Sequence, residues 1–338
     1  KAIRKQIELD KKLREEKKKS SKALRTYALN FGKYLLVYKA GGAIIDGFRQ
    51  QLKASIKRIV ELDKELVRAS TIAGVFKTEM KAVVQEARRI QTTMGIGAAE
   101  SVRAFYTILS AGFKKNPLPI LTASAEAARA GFVSIEDAAS SLTAVMNIFK
   151  LEAEDTTRIN NVLFNAVDQG RFVFADLAKG LATAGQTAQA MGVTFEELMG
   201  LLAATSKTTQ GMSTAATQVR SVLTAMLKPS KEMLFVFEKL GVTTGEELVK
   251  KFGNAATAFE AIKRVSDEYK LSLGEVLGRK EALNALLALT GDNFEQTLGV
   301  IKRVTEEDEN FKAALKKGNG TLQARIDKLE KNLELFAD

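Results

Sequence analysis

Apolar residues along this chain recur every three or four positions, or every seven, and no stretch alternates apolar and polar at every second residue. That periodicity predicts an all-α protein. From Leu24 a seven-residue register runs without a miss through Phe31, Tyr38, Ile45, Leu52, Ile59 and Leu66. A second track, three or four residues further on, holds Tyr27, Leu35, Phe48, Ile56 and Leu62 but also Gly41 and Gly42. Sustained heptads point to a coiled coil or to a long helix lying along a partner; an amphipathic helix folded back on its own domain satisfies the same spacing. Residues 1–70 are therefore expected to form a long basic helix or coiled coil, weakened or kinked at the glycine pair. Near the other end, Gly318-Asn319-Gly320 marks a hinge, and Leu322, Ile326, Leu329, Leu333 and Phe336 step by four, three, four and three. That is the start of a C-terminal coiled coil over 309–338, or a single amphipathic capping helix.

Between these flanks, residues 71–308 read as an irregular multi-helix array. Ile72, Val75, Phe76, Met80, Val83 and Val84 form one stripe, and Gly95 and Gly97 end it. Four later helix starts share one signal: Val133-Ser134 with Asp137, Val193-Thr194 with Glu197, Val242-Thr243-Thr244 with Glu246 and Glu247, and Leu271-Ser272 with Glu275. Each places an apolar residue, a hydroxyl cap and then an acid, which satisfy free backbone N–H groups at the positive end of the helix dipole. Their uneven spacing argues against a solenoid of fixed period.

The stretch from Ala184 to Leu227 is the most legible. Met191-Gly192 ends one helix, and Thr194 with Glu197 has the capping-box spacing. Phe195, Leu198, Met199, Leu202 and Ala203 then put one face of a helix inside, with Glu196 and Ser206 on the other. Gly211 breaks the chain, Val219, Val222, Leu223, Met226 and Leu227 repeat the spacing, and Pro229 stops the second helix. The expectation is a helical hairpin without catalytic chemistry.

Composition narrows the chemistry. Of 338 residues none is Cys, His or Trp, which removes disulfides, thiolate nucleophiles, Cys/His zinc sites and imidazole acid–base catalysis. Three prolines favour a nearly all-helical chain, and the lack of cysteine suits synthesis in a reducing cytoplasm. The glycine-rich run Gly41 to Gly47 follows no strand and lacks the Gly-Lys-Ser/Thr of a phosphate loop. Glu306-Glu307-Asp308-Glu309 lacks the glycine turn and alternating ligands of a calcium loop. No catalytic, cofactor or metal site is expected. The net charge is +11, and residues 1–25 carry eleven basic against four acidic side chains, so the remainder is only mildly basic. Such a segment suits nucleic acid, an anionic membrane or an acidic wall, and equally a solvated helix face. No stretch has the roughly 20 apolar residues of a membrane span. The chain starts at Lys1 and stops inside a helical pattern, and is read as a piece of a longer protein.

The ordered run Ala-x-x-Met-Gly-Val-Thr-x-Glu-Glu, then Gly211, Ser213, Thr214, Ala215, Ala216, Thr217, Val219 and Arg220, then Lys-Pro-Ser, resembles the core region of phage tail tape measure proteins. Flanking stretches agree: Leu109-Ser110-Ala111-Gly112-Phe113, Ala166-Val167-Asp168-Gln169-Gly170 and Leu240-Gly241-Val242. The turn Ser206-Lys207-Thr208-Thr209-Gln210 departs from the family in being more polar. The likeness covers roughly Ile72 to Val304. It implies a structural virion protein made in the host bacterial cytoplasm, which occupies the tail tube lumen, sets tail length and is released ahead of the DNA. Implied partners are further copies of itself, as a trimer or hexamer through the two heptad seams, tail tube protein, tail tip or baseplate proteins and assembly chaperones, then host envelope and phage DNA during ejection. Two other readings fit the residues: a nucleic-acid-binding helical protein using Lys1 to Arg25, and a cellular coiled-coil scaffold.

Overall fold

In the computed structural model, residues 57, 60–71, 77–306, 310–321 and 324–330 are described. The first-seam positions Leu24 to Ile59 therefore lie outside the described residues, as do Leu322, Leu333 and Phe336. Every element among the described residues is helical, which bears out the all-α reading. No helix among them is long and apolar enough to cross a membrane.

The described residues from Val60 onward belong to one compact unit. After a helical segment at 60–71 come α1 (Lys77–Met94), α2 (Ala98–Ser110), α3 (Pro117–Gly131), α4 (Ile135–Phe149), α5 (Thr156–Gln169) and α6 (Leu177–Ala190). Then follow α7 (Phe195–Ser206), α8 (Met212–Leu227), α9 (Lys231–Lys239), α10 (Gly245–Phe252) and α11 (Ala255–Glu268). The chain closes with α12 (Leu273–Leu277), α13 (Lys280–Leu289), α14 (Phe294–Thr305), α15 (Asn310–Gly320) and a helical segment at 324–330.

The shared start signal has a physical origin at both ends of the turn. At Phe132, Lys150, Gly192, Gly241 and Lys270 the backbone turns left-handed, with φ between 53° and 70°. The apolar residue that follows donates its N–H to the carbonyl five residues back: Val133 to Ala128, Leu151 to Met146, Val193 to Ala188, Val242 to Phe237 and Leu271 to Ser266. This closes the outgoing helix in a Schellman-type cap. The hydroxyl after it opens the next. Ser134 accepts from Asp137 N–H at 3.0 Å, Thr194 from Glu197 N–H at 3.2 Å and Thr244 from Glu247 N–H at 3.1 Å. Ser272 makes no such side-chain bond. One apolar residue thus closes one helix just ahead of the start of the next, across turns of three to five residues.

Helix α7 is the centre of the packing. Eleven of its twelve residues are buried, and Glu196 alone is not. The expectation of one buried face is corrected here: Ser206 is fully buried, donates to Ala203 O at 2.7 Å and accepts from Arg171 N–H at 2.9 Å. Helices α5, α6, α8, α13 and α14 surround α7. It is crossed closely at Gly200, where an added Cβ would lie 2.7 Å from Ile301 Cγ1 and 2.8 Å from Ile301 Cα of α14.

The hinge expected at Gly318-Asn319-Gly320 falls at its far end, since α15 runs through Gly318 and ends at Gly320. Gly318 is buried, and a Cβ there would lie 2.3 Å from the Arg129 carbonyl oxygen. Gly318 itself serves a close helix contact with α3, and the break follows Gly320.

A matched pair of substitutions separates packing from propensity. Gly200→Ala gains helix propensity but forces α7 from the α14 backbone, and should lower stability by about 1–3 kcal/mol. Gly299→Ala on α14 meets nothing within 4 Å, and should raise it by up to about 1 kcal/mol. Thermal melts of the two variants check the opposite signs.

Candidate functional site

The motif stretch falls on the α7–α8 hairpin. Gly211 holds φ +85° ahead of α8, a left-handed-side conformation that suits glycine. Ala215, Ala216 and Val219 are buried, against α6, α7 and α13. Ser213, Thr214 and Arg220 are exposed and Thr217 half-buried. Thr217 Oγ1 donates to Ser213 O at 3.0 Å, so its hydroxyl is turned back on the helix. The motif is therefore a packing element: the small residues allow close approach, and its polar members face out. The flanking stretches share one role, as Leu109 to Phe113, Ala166 to Gly170 and Leu240 to Val242 each form the end of a helix.

Glu197 is the buried charge that sequence reading placed correctly but understood only in part. Its carboxylate accepts from the Ala255 N–H of α11, and the Thr194 and Ala256 N–H groups also face it. One acid thus serves two helix starts, its own and that of α11, where Asn254 Oδ1 already accepts from Thr257 N–H at 2.7 Å. Burial raises the carboxyl above the usual range, and the N–H groups of Ala255, Thr194 and Ala256 pull it down without reversing that. Spacing alone could reveal the cap; the second helix could not be seen from it.

A groove of about 570 Å³ is lined by Arg103 of α2, Arg129 of α3, Glu136 of α4, and Ala324 and Asp327 of the 324–330 helix. On one side Arg103 Nη1 lies 3.0 Å from Glu61 of the 60–71 helix, and its Nε lies 2.8 Å from Glu136 of α4. Leu66 is half-buried against the core, while Val60 and Val67, seven apart, are 61% and 58% exposed. On the other side Arg129 Nη1 lies 3.3 Å from Asp327. Ala324 is buried there, whereas Ile326 and Leu329 of the seam are 40% and 61% exposed. Partly exposed ion pairs of this kind contribute at most about 1 kcal/mol each.

Residues 84–291 match the model of a family described as phage-related minor tail protein, and the match takes in the whole α7–α8 hairpin. The chain belongs to this family. It is 25% identical over 308 residues to a probable tape measure protein of Clostridium phage phiCD119, covering 87% of this chain and 32% of that one. It is 24% identical over 286 residues to a tape measure protein of Pneumococcus phage Dp-1, covering 83% of this chain and 24% of that one. A probable tape measure protein of Escherichia phage P2 is 22% identical over 267 residues, covering 78% and 32%. The resemblance read from the Gly211–Arg220 stretch is thereby borne out. This minor tail protein chain spans about a quarter to a third of the length of those relatives. No solved structure matches it.

The buried acid gives this family member a pH signature. A carboxyl raised in the fold favours folding below its unfolded pKa, and that contribution is lost as pH rises through the folded value. Lowering pH from 7 toward 4 should therefore stabilise the parent chain relative to Glu197→Gln, whose side chain stays neutral. Melting temperatures of both across that range check it, and a gap that widens against the parent as pH falls excludes it.

Proposed function

We propose that the protein occupies the lumen of a phage tail tube, sets the length of the tail during assembly and leaves ahead of the DNA at infection. The observation that carries this reading is the similarity of most of the chain to relatives named tape measure proteins, within a family of minor tail proteins. Elementary geometry supports it. A helix rises about 1.5 Å per residue, so a helical chain held extended in a tube converts residue number into distance.

In this reading residues 71–308 are the core module, 1–70 a basic coiled-coil flank and 309–338 the start of a second. Ile326 and Leu329 are the described seam positions left open for self-association, whereas Leu66 is already engaged with the core. A trimer or hexamer suits a tail of threefold or sixfold symmetry. The partners would be tail tube protein, tail tip or baseplate proteins and assembly chaperones, then host envelope and DNA as the chain is expelled. The role is structural and needs no catalytic centre or cofactor.

Removing helical segments from the full-length protein should shorten tails by about 1.5 Å per residue removed, measured in electron micrographs. Tails of unchanged length would sink the ruler. Light scattering behind size exclusion should show this chain as a salt-resistant trimer or hexamer, with Ile326→Lys and Leu329→Lys together lowering the mass. A parent chain that is already a monomer overturns the seam assignment and leaves the ruler standing.

A further inference from the structure

The helices at 60–71 and 324–330, far apart in sequence, are both fastened near one groove: the second lines it, and the first meets Arg103, which lines it. Glu61 reaches the groove through Arg103, and Asp327 lines it directly against Arg129. A chain laid out end to end would have its first and last helices at opposite ends. Here the ion pairs that fasten the 60–71 and 324–330 helices end on α2 and α3, which pack on each other. Arg103 stands on α2 and pairs with Glu136 on α4; Arg129 stands on α3, which packs on both. None of these ion pairs involves α7 or the helices from α8 to α14.

We propose that this module is a load-sensitive fold: pull applied through its flanking segments falls first on the Arg103 and Arg129 clamps, peels the two flanking helices away, and only then reaches the core around α7. Three observations support the order of events. The clamps are partly exposed ion pairs, with Arg103 side chain 30% and Glu61 46% accessible. The flanking helices place few residues inside: Ala69 and Glu65 on one, Ala324 on the other. The core helix α7, by contrast, is buried over nearly its whole length. The module would thus stay folded while its flanks are slack and open from one end once they are drawn taut. The mechanics stand on the fold alone; their use when a tail empties rests on the function proposed above.

The chain has no cysteine, so optical-trap handles can be placed by Val60→Cys and Glu330→Cys, both at exposed positions, in the whole chain. Pulling between them should give an early step whose length matches release of the flanking helices, followed by a separate core rupture at higher force. Adding Arg103→Gln and Arg129→Gln should lower or abolish the first step and leave the core rupture unchanged. Handles at Ala182→Cys on α6 and Lys302→Cys on α14 load α7 directly, and should show no early step. A single cooperative rupture from the 60 and 330 handles, or a first step indifferent to the two arginine changes, overturns the proposal. Neither result depends on what the protein does in a tail.

Discussion

A helix with no solvent-facing side dictates the rest of this fold. Of the residues of α7, Glu196 alone escapes burial, so every neighbour must bring an apolar or small surface to it from a different direction. Gly200 admits the backbone of Ile301, and the alanines of α8 allow a second close approach. Close-packed interiors respond to a single methylene, and around α7 there is no exposed side toward which a misfit can be pushed. The polar groups on α7 are therefore committed. Ser206 bridges two segments, and Glu197 holds the start of α11 as well as its own.

The commitment of Glu197 explains why the tail-family motif has so little chemistry in it. A carboxylate taken into the interior is costly unless backbone donors meet it, and here helix starts from two parts of the chain converge on one acid. Its neighbours in the motif, Ala215, Ala216 and Val219, are constrained by volume alone. The motif is a set of packing and capping conditions for bringing α7, α8 and α11 together.

The helix starts at Ser134, Thr194 and Thr244 were legible because capping is local: the cap, its acceptor and its donor lie within four residues. Gly192 was legible for the same reason. Ser206 was misplaced because apolar periodicity describes one helix at a time. A helix buried all round shows only a weak apolar stripe, and its polar residues then look like a solvent face. Gly318 was misplaced because a glycine permits both a break and a close contact, and only the presence of Arg129 across the interface decides between them. The ion pairs that fasten the flanking helices left no local trace, since Arg103 and Glu61 are 42 residues apart and Arg129 and Asp327 are 198 apart.

Heptads carry less information than their regularity suggests, and the two flanks show why. Leu66 continues the long N-terminal register yet turns toward the core, while Val60 and Val67 on the same helix face out. At the other end the register positions Ile326 and Leu329 face out and Ala324 turns in. A seven-residue repeat marks a stripe that wants covering; whether the cover is the chain's own module or another copy depends on which side the ion pairs hold down. Arg103 and Arg129 make that choice here. With one face of each flanking helix held to the module, Val60 and Val67 on one and Ile326 and Leu329 on the other are turned outward.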